Sequence, residues 1–93
     1  MGFDWDNENR NYLKRHKVAP AEFEQIFVNN PLELEFQSHG SEERYKLVGV
    51  TNVGRVLTVI WTLRRGRIRA ITAFPAPPPE RLLYITWLEG TRE

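Results

Sequence analysis

Residues 55–75, RVLTVIWTLRRGRIRAITAFP, hold two runs rich in β-branched residues on either side of Arg64-Arg65-Gly66-Arg67. Arg55 to Leu63 is apolar on both faces, as a central strand should be. Ile68 to Phe74 returns after the glycine-containing turn. Upstream, Arg44 to Val50 alternates Tyr45 and Leu47 against Arg44 and Lys46, and Leu32, Leu34 and Phe36 alternate with Glu33, Glu35 and Gln37. Asn52-Val53-Gly54 and Ser38-His39-Gly40-Ser41 supply the connections. Three hairpin-like connections in succession predict a four-stranded antiparallel meander with the Leu32–Gln37 strand at an edge.

On either side of this sheet the period changes. Residues from about Asn7 to Lys17 lack Gly and Pro and read as a helix, with Arg10, Lys14 and Lys17 on one face and Tyr12 and His16 on a neighbouring stripe. Pro20 suits the first turn of a second helix, Ala19, Phe23, Ile26 and Phe27 form its buried stripe, and Asn29-Asn30-Pro31 stops it. Pro75 to Pro79 is too stiff for a strand centre, and about Pro79 to Glu89 forms a last, apolar helix. Phe3-Asp4-Trp5 is either a short opening strand or a hydrophobic latch. Phe3/Trp5 and Ile85/Trp87/Leu88 are either packed internally or a partner surface. The expectation is one α+β domain over residues 1–93: two N-terminal helices, a four-stranded antiparallel sheet and a C-terminal helix, the helices against one sheet face.

A net charge of +1 conceals an asymmetry. Residues 1–43 balance to −5 and residues 44–93 to +6, with no acid between Glu43 and Glu80. An arginine-rich, acid-free stretch suits a phosphate-binding surface, and equally a solvated sheet face. The chain has no cysteine, hence no disulfide and no thiolate chemistry. Its longest apolar runs are far short of a membrane span of about 20 residues, and the acidic N-terminus is unlike a signal peptide, so a cytoplasmic location is expected. No metal site is expected, because the two histidines lie far apart and no acidic cluster has ligand spacing. Gly-rich phosphate loops and serine-nucleophile motifs are absent, and no cofactor is expected.

Several pieces occur in a telling order: Phe3-x-Trp5-Asp6, Lys14-Arg15-His16-Lys17-Val18, Phe27-x-x-x-Pro31, Glu43-Arg44, Leu47-x-Gly49, Trp61-Thr62, Arg67-Ile68-Arg69-x-Ile71-Thr72-Ala73 and Glu80-x-x-x-Tyr84. The ordered set resembles the BrnT family, the toxin half of a toxin–antitoxin operon. The resemblance implies a RelE-like fold and a metal-independent endoribonuclease. It also implies a cognate ribbon-helix-helix antitoxin that neutralises the toxin and carries it to operator DNA. The sequence departs from the family at two points. Lys17 stands where the family carries glycine, and Phe74-Pro75 follow Ala73 where the family carries arginine.

RNA cleavage without metal needs the 2′-hydroxyl deprotonated, the phosphorane stabilised and the leaving 5′-oxygen protonated. Arg67 and Arg69, two residues apart on one strand, are candidates for the phosphorane, with Lys14 as a further cation. His16 is the candidate for proton transfer and His39 a bystander. Glu80 and Tyr84, at i and i+4 on the last helix, offer an alternative acid–base pair. Arg64, Arg65 and Arg81 are candidate RNA contacts, and Trp61 and Phe74 candidate base-stacking rings, though Trp61 suits the core as well. Two other readings use the same residues. One is a catalytically weak or inactive toxin-fold module acting through its antitoxin, favoured by Lys17, Phe74 and Pro75. The other is an unrelated nucleic-acid-binding domain, which uses only the basic half.

Overall fold

The computed structural model describes residues 2–40 and 42–91, with the backbone alone at His39. The chain runs β1 (Phe3–Asp4), α1 (Asn7–Lys14), α2 (Pro20–Val28), β2 (Leu32–His39), β3 (Glu42–Val50), β4 (Val56–Arg64), β5 (Arg67–Pro75) and α3 (Pro78–Thr91). The α+β class and the helix order agree with expectation, but the sheet does not. It has five strands in the order β1-β5-β4-β3-β2. It is mixed, because β1 runs parallel to β5, with Phe3 opposite Ile68 and Asp4 opposite Arg69. The expected four-stranded antiparallel meander is therefore only the β2–β5 part of a larger sheet. Ser38 and His39 belong to β2 rather than to a loop. Ser41 and the His39 side chain lie outside the described residues.

Helices cover both sheet faces, not one. Leu13, Phe23 and Ile26 of α1 and α2 pack with Leu47, Leu57, Val59, Ile68 and Ala73. Val48 and Val56, adjacent to Leu47 and Leu57 and so on the opposite face, pack instead with Tyr84 of α3. Trp87 and Leu88 join this second core, and Phe3 and Trp5 join the first. Leu82, Leu83 and Ile85 stay exposed. Gly49 lets α2 approach β3: a Cβ there would stand 2.8 Å from Ile26 Cγ2 and 3.5 Å from the Ile26 carbonyl oxygen.

The entry to α1 is fixed by reciprocal bonds. The Asn9 N–H donates to Asp6 Oδ1 at 3.1 Å and the Asp6 N–H to Asn9 Oδ1 at 2.9 Å. The amide of Asn9, buried, also donates to the Asp4 carbonyl at 2.7 Å. At its other end the chain leaves α1 through a left-handed Lys17, φ 56°. The Val18 N–H reaches the Leu13 carbonyl at 3.1 Å and the Lys17 N–H the Lys14 carbonyl at 3.0 Å. This is a Schellman ending, with Val18 and Leu13 as its buried apolar pair. Lys17 thus occupies the glycine position of the family pattern in the conformation glycine prefers.

Arg69 fastens the N-terminal segment to the sheet. Its Nη1 lies 2.9 Å from Asp6 Oδ2 and 3.7 Å from Asp4 Oδ1, and its Nη2 lies 3.2 Å from Asp6 Oδ1 and 3.3 Å from Glu8 Oε1. The hydrogen bond from Arg69, helped by the Asn9 N–H, holds the Asp6 carboxyl below its ordinary pKa.

Three outcomes follow for stability. Lys17→Gly relieves a left-handed side-chain residue and should stabilise by about 1 kcal/mol, read as a rise in Tm. Gly49→Ala should cost about 1–3 kcal/mol through the clash with Ile26, read by urea unfolding. Arg69→Met should lower stability at neutral pH by removing the guanidinium that joins residues 4–8 to β5, read by the same unfolding. The pH dependence carries the sign. A carboxyl lowered on folding contributes stability above its ordinary value of 3.8 and loses it as pH falls through the folded-state value. The acid limb of the wild-type stability curve should therefore be steeper than that of Arg69→Met, and equal slopes would count against the clamp.

Candidate functional site

Strand pairing decides what the α3 side of the sheet exposes. Phe74 pairs with Thr58, and Thr58 with Val48, in a row that α3 borders. In the next row Thr72 pairs with Ile60, Ile60 with Lys46 and Lys46 with Glu35. Beyond it, Thr62 pairs with Arg69 and Gln37 with Arg44. A β-bulge leaves Ile71 unpaired between these rows and increases the local twist. The helix stops short of the last two rows. They form an open floor bordered by α1, with a cleft of about 390 Å³ lined by Tyr12, Glu8, Arg44, Thr62, Arg69 and Thr72.

At the border between covered and open floor sits Glu80, in the first turn of α3. Its carboxylate accepts from Thr58 Oγ1 at 2.6 Å and meets Lys46 Nζ at 2.5 Å. Burial pushes the Glu80 carboxyl up, but the hydrogen bonds from Lys46 and Thr58 and the Lys46 charge outweigh it, and its pKa falls below the ordinary value. Glu80 thus anchors Lys46 from the first turn of α3. Lys46 Nζ also lies 4.0 Å from Glu35. Arg44 pairs with Glu42 at 3.1 Å, with both side chains about half exposed; such a pair is worth little and yields readily to a better anion.

His16 follows α1 at the outer edge of β5, its ring 5.9 Å from that of Phe74 in an edge-to-face contact. Phe74 is half-buried and pairs with Thr58, the donor to Glu80. His16, Phe74 and Glu80 are thus linked by a short chain of contacts on one side of the sheet. The other sequence candidates fall elsewhere. Lys14 is exposed in the last turn of α1. Tyr84 is 1% exposed, and its hydroxyl donates to the Asn30 carbonyl at 3.1 Å. Trp61 points to the opposite face, stacked on Tyr45 at 4.4 Å and edge-on to Phe27 at 5.5 Å. Its indole N–H is buried without a hydrogen-bond partner among the described residues. Arg81 is exposed on α3.

The arginines of the β4–β5 hairpin do not share one acid-free surface. Arg64, Arg65 and Arg67 are exposed and line a second hollow at the hairpin tip together with Asp4. Arg64 Nε lies 3.5 Å from Asp4. Arg69, two residues on from Arg67, is held by the carboxylates of the N-terminal segment. The acid-free interval in the sequence is filled in space by residues 4–8. Lys46, Arg44 and Thr58 were not singled out from the sequence for the site. The alternation Arg44/Lys46 against Tyr45/Leu47 marks the two cations as sharing a face, which is the signal that could have found them.

Among the described residues no group of His, Asp and Glu is arranged to hold a metal ion, and no helix is long and apolar enough to cross a membrane. No curated protein and no solved structure matches the chain. Residues 4–80 match the family described as ribonuclease toxin, BrnT, of type II toxin-antitoxin system. That stretch runs from the carboxylates clamping Arg69 to the carboxylate anchoring Lys46. The chain belongs to the BrnT family of ribonuclease toxins of type II toxin–antitoxin systems.

Proposed function

We propose that the chain, as one toxin domain over residues 1–93, is a metal-independent endoribonuclease acting on RNA. We further propose that a cognate ribbon-helix-helix antitoxin neutralises it and alone connects it to operator DNA. The observation that supports this best is the open floor beside α3, where Lys46 and Arg44 lie on the same sheet face as Phe74, with His16 at its edge. In this reading the 2′-oxygen attacks phosphorus and the bond to the 5′-oxygen breaks, giving a cyclic phosphate and a free 5′-hydroxyl. Lys46 and Arg44 neutralise charge on the phosphorane. His16 exchanges the proton, the task for which the imidazole is the commonest side chain. Glu80 positions Lys46, Phe74 stacks a base, and Arg64, Arg65, Arg67 and Arg81 attract the flanking phosphates. Arg69 holds residues 4–8 in place and binds no phosphate. Lys14 adds to the positive face of α1, Tyr84 is the anchor of α3, and Trp61 belongs to the aromatic core.

A second reading, a toxin-fold module without strong activity, is favoured by one observation: Lys46, Arg44 and Arg69 each already have a carboxylate partner. Cleavage of a single-stranded RNA by the purified chain separates the two. The nuclease reading expects cleavage undiminished by EDTA, a loss of about 10²–10³-fold in Lys46→Met and about 10²–10⁴-fold in His16→Ala, with Tm little changed. Lys46→Arg should recover part of the rate. Cleavage abolished by EDTA, or unaffected by both variants, would overturn this assignment of the chemistry. Soluble expression without growth arrest or RNA cleavage would favour the binding module.

A further inference from the structure

The two edges of the sheet are treated differently. At the β5 edge, β1 and α1 close the sheet. At the other edge, β2 is paired among the described residues with β3 alone, so one side of an eight-residue strand has its main-chain groups unpaired by any further described strand. Edges of this length are ordinarily blunted with proline, charged side chains (lysine above all), a β-bulge or a covering segment; β2 has a bulge between Glu33 and Glu35, and its charges are negative. Residues 32–39 contain no proline and no cation. They carry Glu33 and Glu35, both exposed, and Phe36, which is 54% exposed.

The carboxylates are set out on both sides of the strand. Glu33 pairs with Leu47 and so points to the α2 face, whereas Glu35 pairs with Lys46 on the α3 face, because a bulge at Leu34 shifts the register. On the α2 face Glu43 accepts from the Tyr45 hydroxyl at 2.8 Å. The hydrogen bond to Glu43, burial, and the charges of Glu43 and Glu33 together push that hydroxyl's pKa up. Tyr45 in turn contacts Phe36, ring centroids 5.2 Å apart. The edge is therefore an exposed aromatic ring set among acids, beside unpaired backbone.

We propose that the free edge of β2 is a docking strand for a basic, extended segment of a partner polypeptide, which adds a sixth strand and places cations against Glu33 and Glu35. Charge selects this occupant. RNA phosphates are repelled by the carboxylates, and a second copy of the chain pairing edge to edge would set its own glutamates against these. A polypeptide supplies what both lack: N–H and C=O groups for the unpaired backbone and positive side chains for the acids. Adjacent residues of an extended strand project to opposite faces, so the fitting segment carries two neighbouring cations, one for each glutamate, and an apolar residue for Phe36. Glu35 already lies 4.0 Å from Lys46 Nζ and accepts from Gln37 Nε2 at 3.3 Å, so the docked cation shares that carboxylate with Lys46. The test reads binding alone and stands or falls apart from the cleavage reading.

The test uses the full chain and two blocked nine-residue peptides of alternating Thr and Val, one with a central Arg-Lys pair and the other with Glu-Glu. Titration calorimetry should show the basic peptide binding at least about tenfold more tightly than the acidic one, and weakening as salt rises from about 0.05 to about 0.3 M. Hydrogen exchange on the wild-type chain, which needs no variant, should show slowed amides within residues 33–37 with the basic peptide only. The double variant E33K/E35Q, which sets no second cation opposite Lys46, should lose about tenfold or more in affinity for the basic peptide and gain affinity for the acidic one, with Tm little changed. Equal binding of the two peptides would overturn the proposal. So would an absence of slowed amides in β2, or sedimentation showing that the chain alone dimerises through this edge.

Discussion

Arg69 is the point at which the two halves of the chain are joined. Its guanidinium takes carboxylates from three residues of the N-terminal segment, and those contacts hold β1 beside β5 and aim α1 along the sheet edge. A two-residue parallel strand contributes few ladder bonds of its own, so the electrostatic clamp and the packing of Phe3 and Trp5 carry the attachment. Asp6 accepts a hydrogen bond from Nη2 at 3.2 Å, while Nη1 lies 2.9 Å from its other oxygen as a charge contact without hydrogen-bond geometry. With α1 so placed, Tyr12 borders the open floor and His16 reaches Phe74. The site's outer wall is thus a consequence of an ion cluster at its far end.

The division of the sheet into two faces explains why the functional surface is confined. One face is consumed by α1, α2 and a chain of aromatic rings running from Trp5 through Phe23, Phe27 and Trp61 to Tyr45 and Phe36. The other is half covered by α3, held by a buried Tyr84 and by the contact of Glu80 with Lys46 and Thr58. What is left uncovered is small, polar and bounded by cations that already have partners. An anion binding there would have to displace these carboxylates, most cheaply at the exposed Arg44–Glu42 pair.

Much of this was legible from the residues, and the exceptions have physical causes. The β4–β5 hairpin is readable because β-branched runs flank a turn where Arg65 and Gly66 both take positive φ. Gly49 was part of the family pattern, yet only its distance to Ile26 says why a side chain cannot stand there. The fifth strand is one of two readings that Phe3-Asp4-Trp5 allows, since two residues show no period and a parallel partner is non-local. Helix α3 reads as apolar all round, so its pattern could not choose a sheet face. The stretch of sequence around Arg69 is acid-free but its surroundings in space are not, because the acids arrive from the other end of the chain. Lys46 and Arg44 were visible as an alternating pair without the partners that give them meaning.

The same clamp sets an order of events during synthesis. Asp6 and Arg69 are 63 positions apart, so residues 4–8 leave the ribosome long before the residue they must grasp. Until then the β2–β4 meander can form from local pairings, while closing the largest loop of the fold must wait. The edge of β5 and the border that α1 gives to the open floor are completed only once Arg69 has been made. A chain interrupted before Arg69 therefore carries most of the sheet but none of the enclosure.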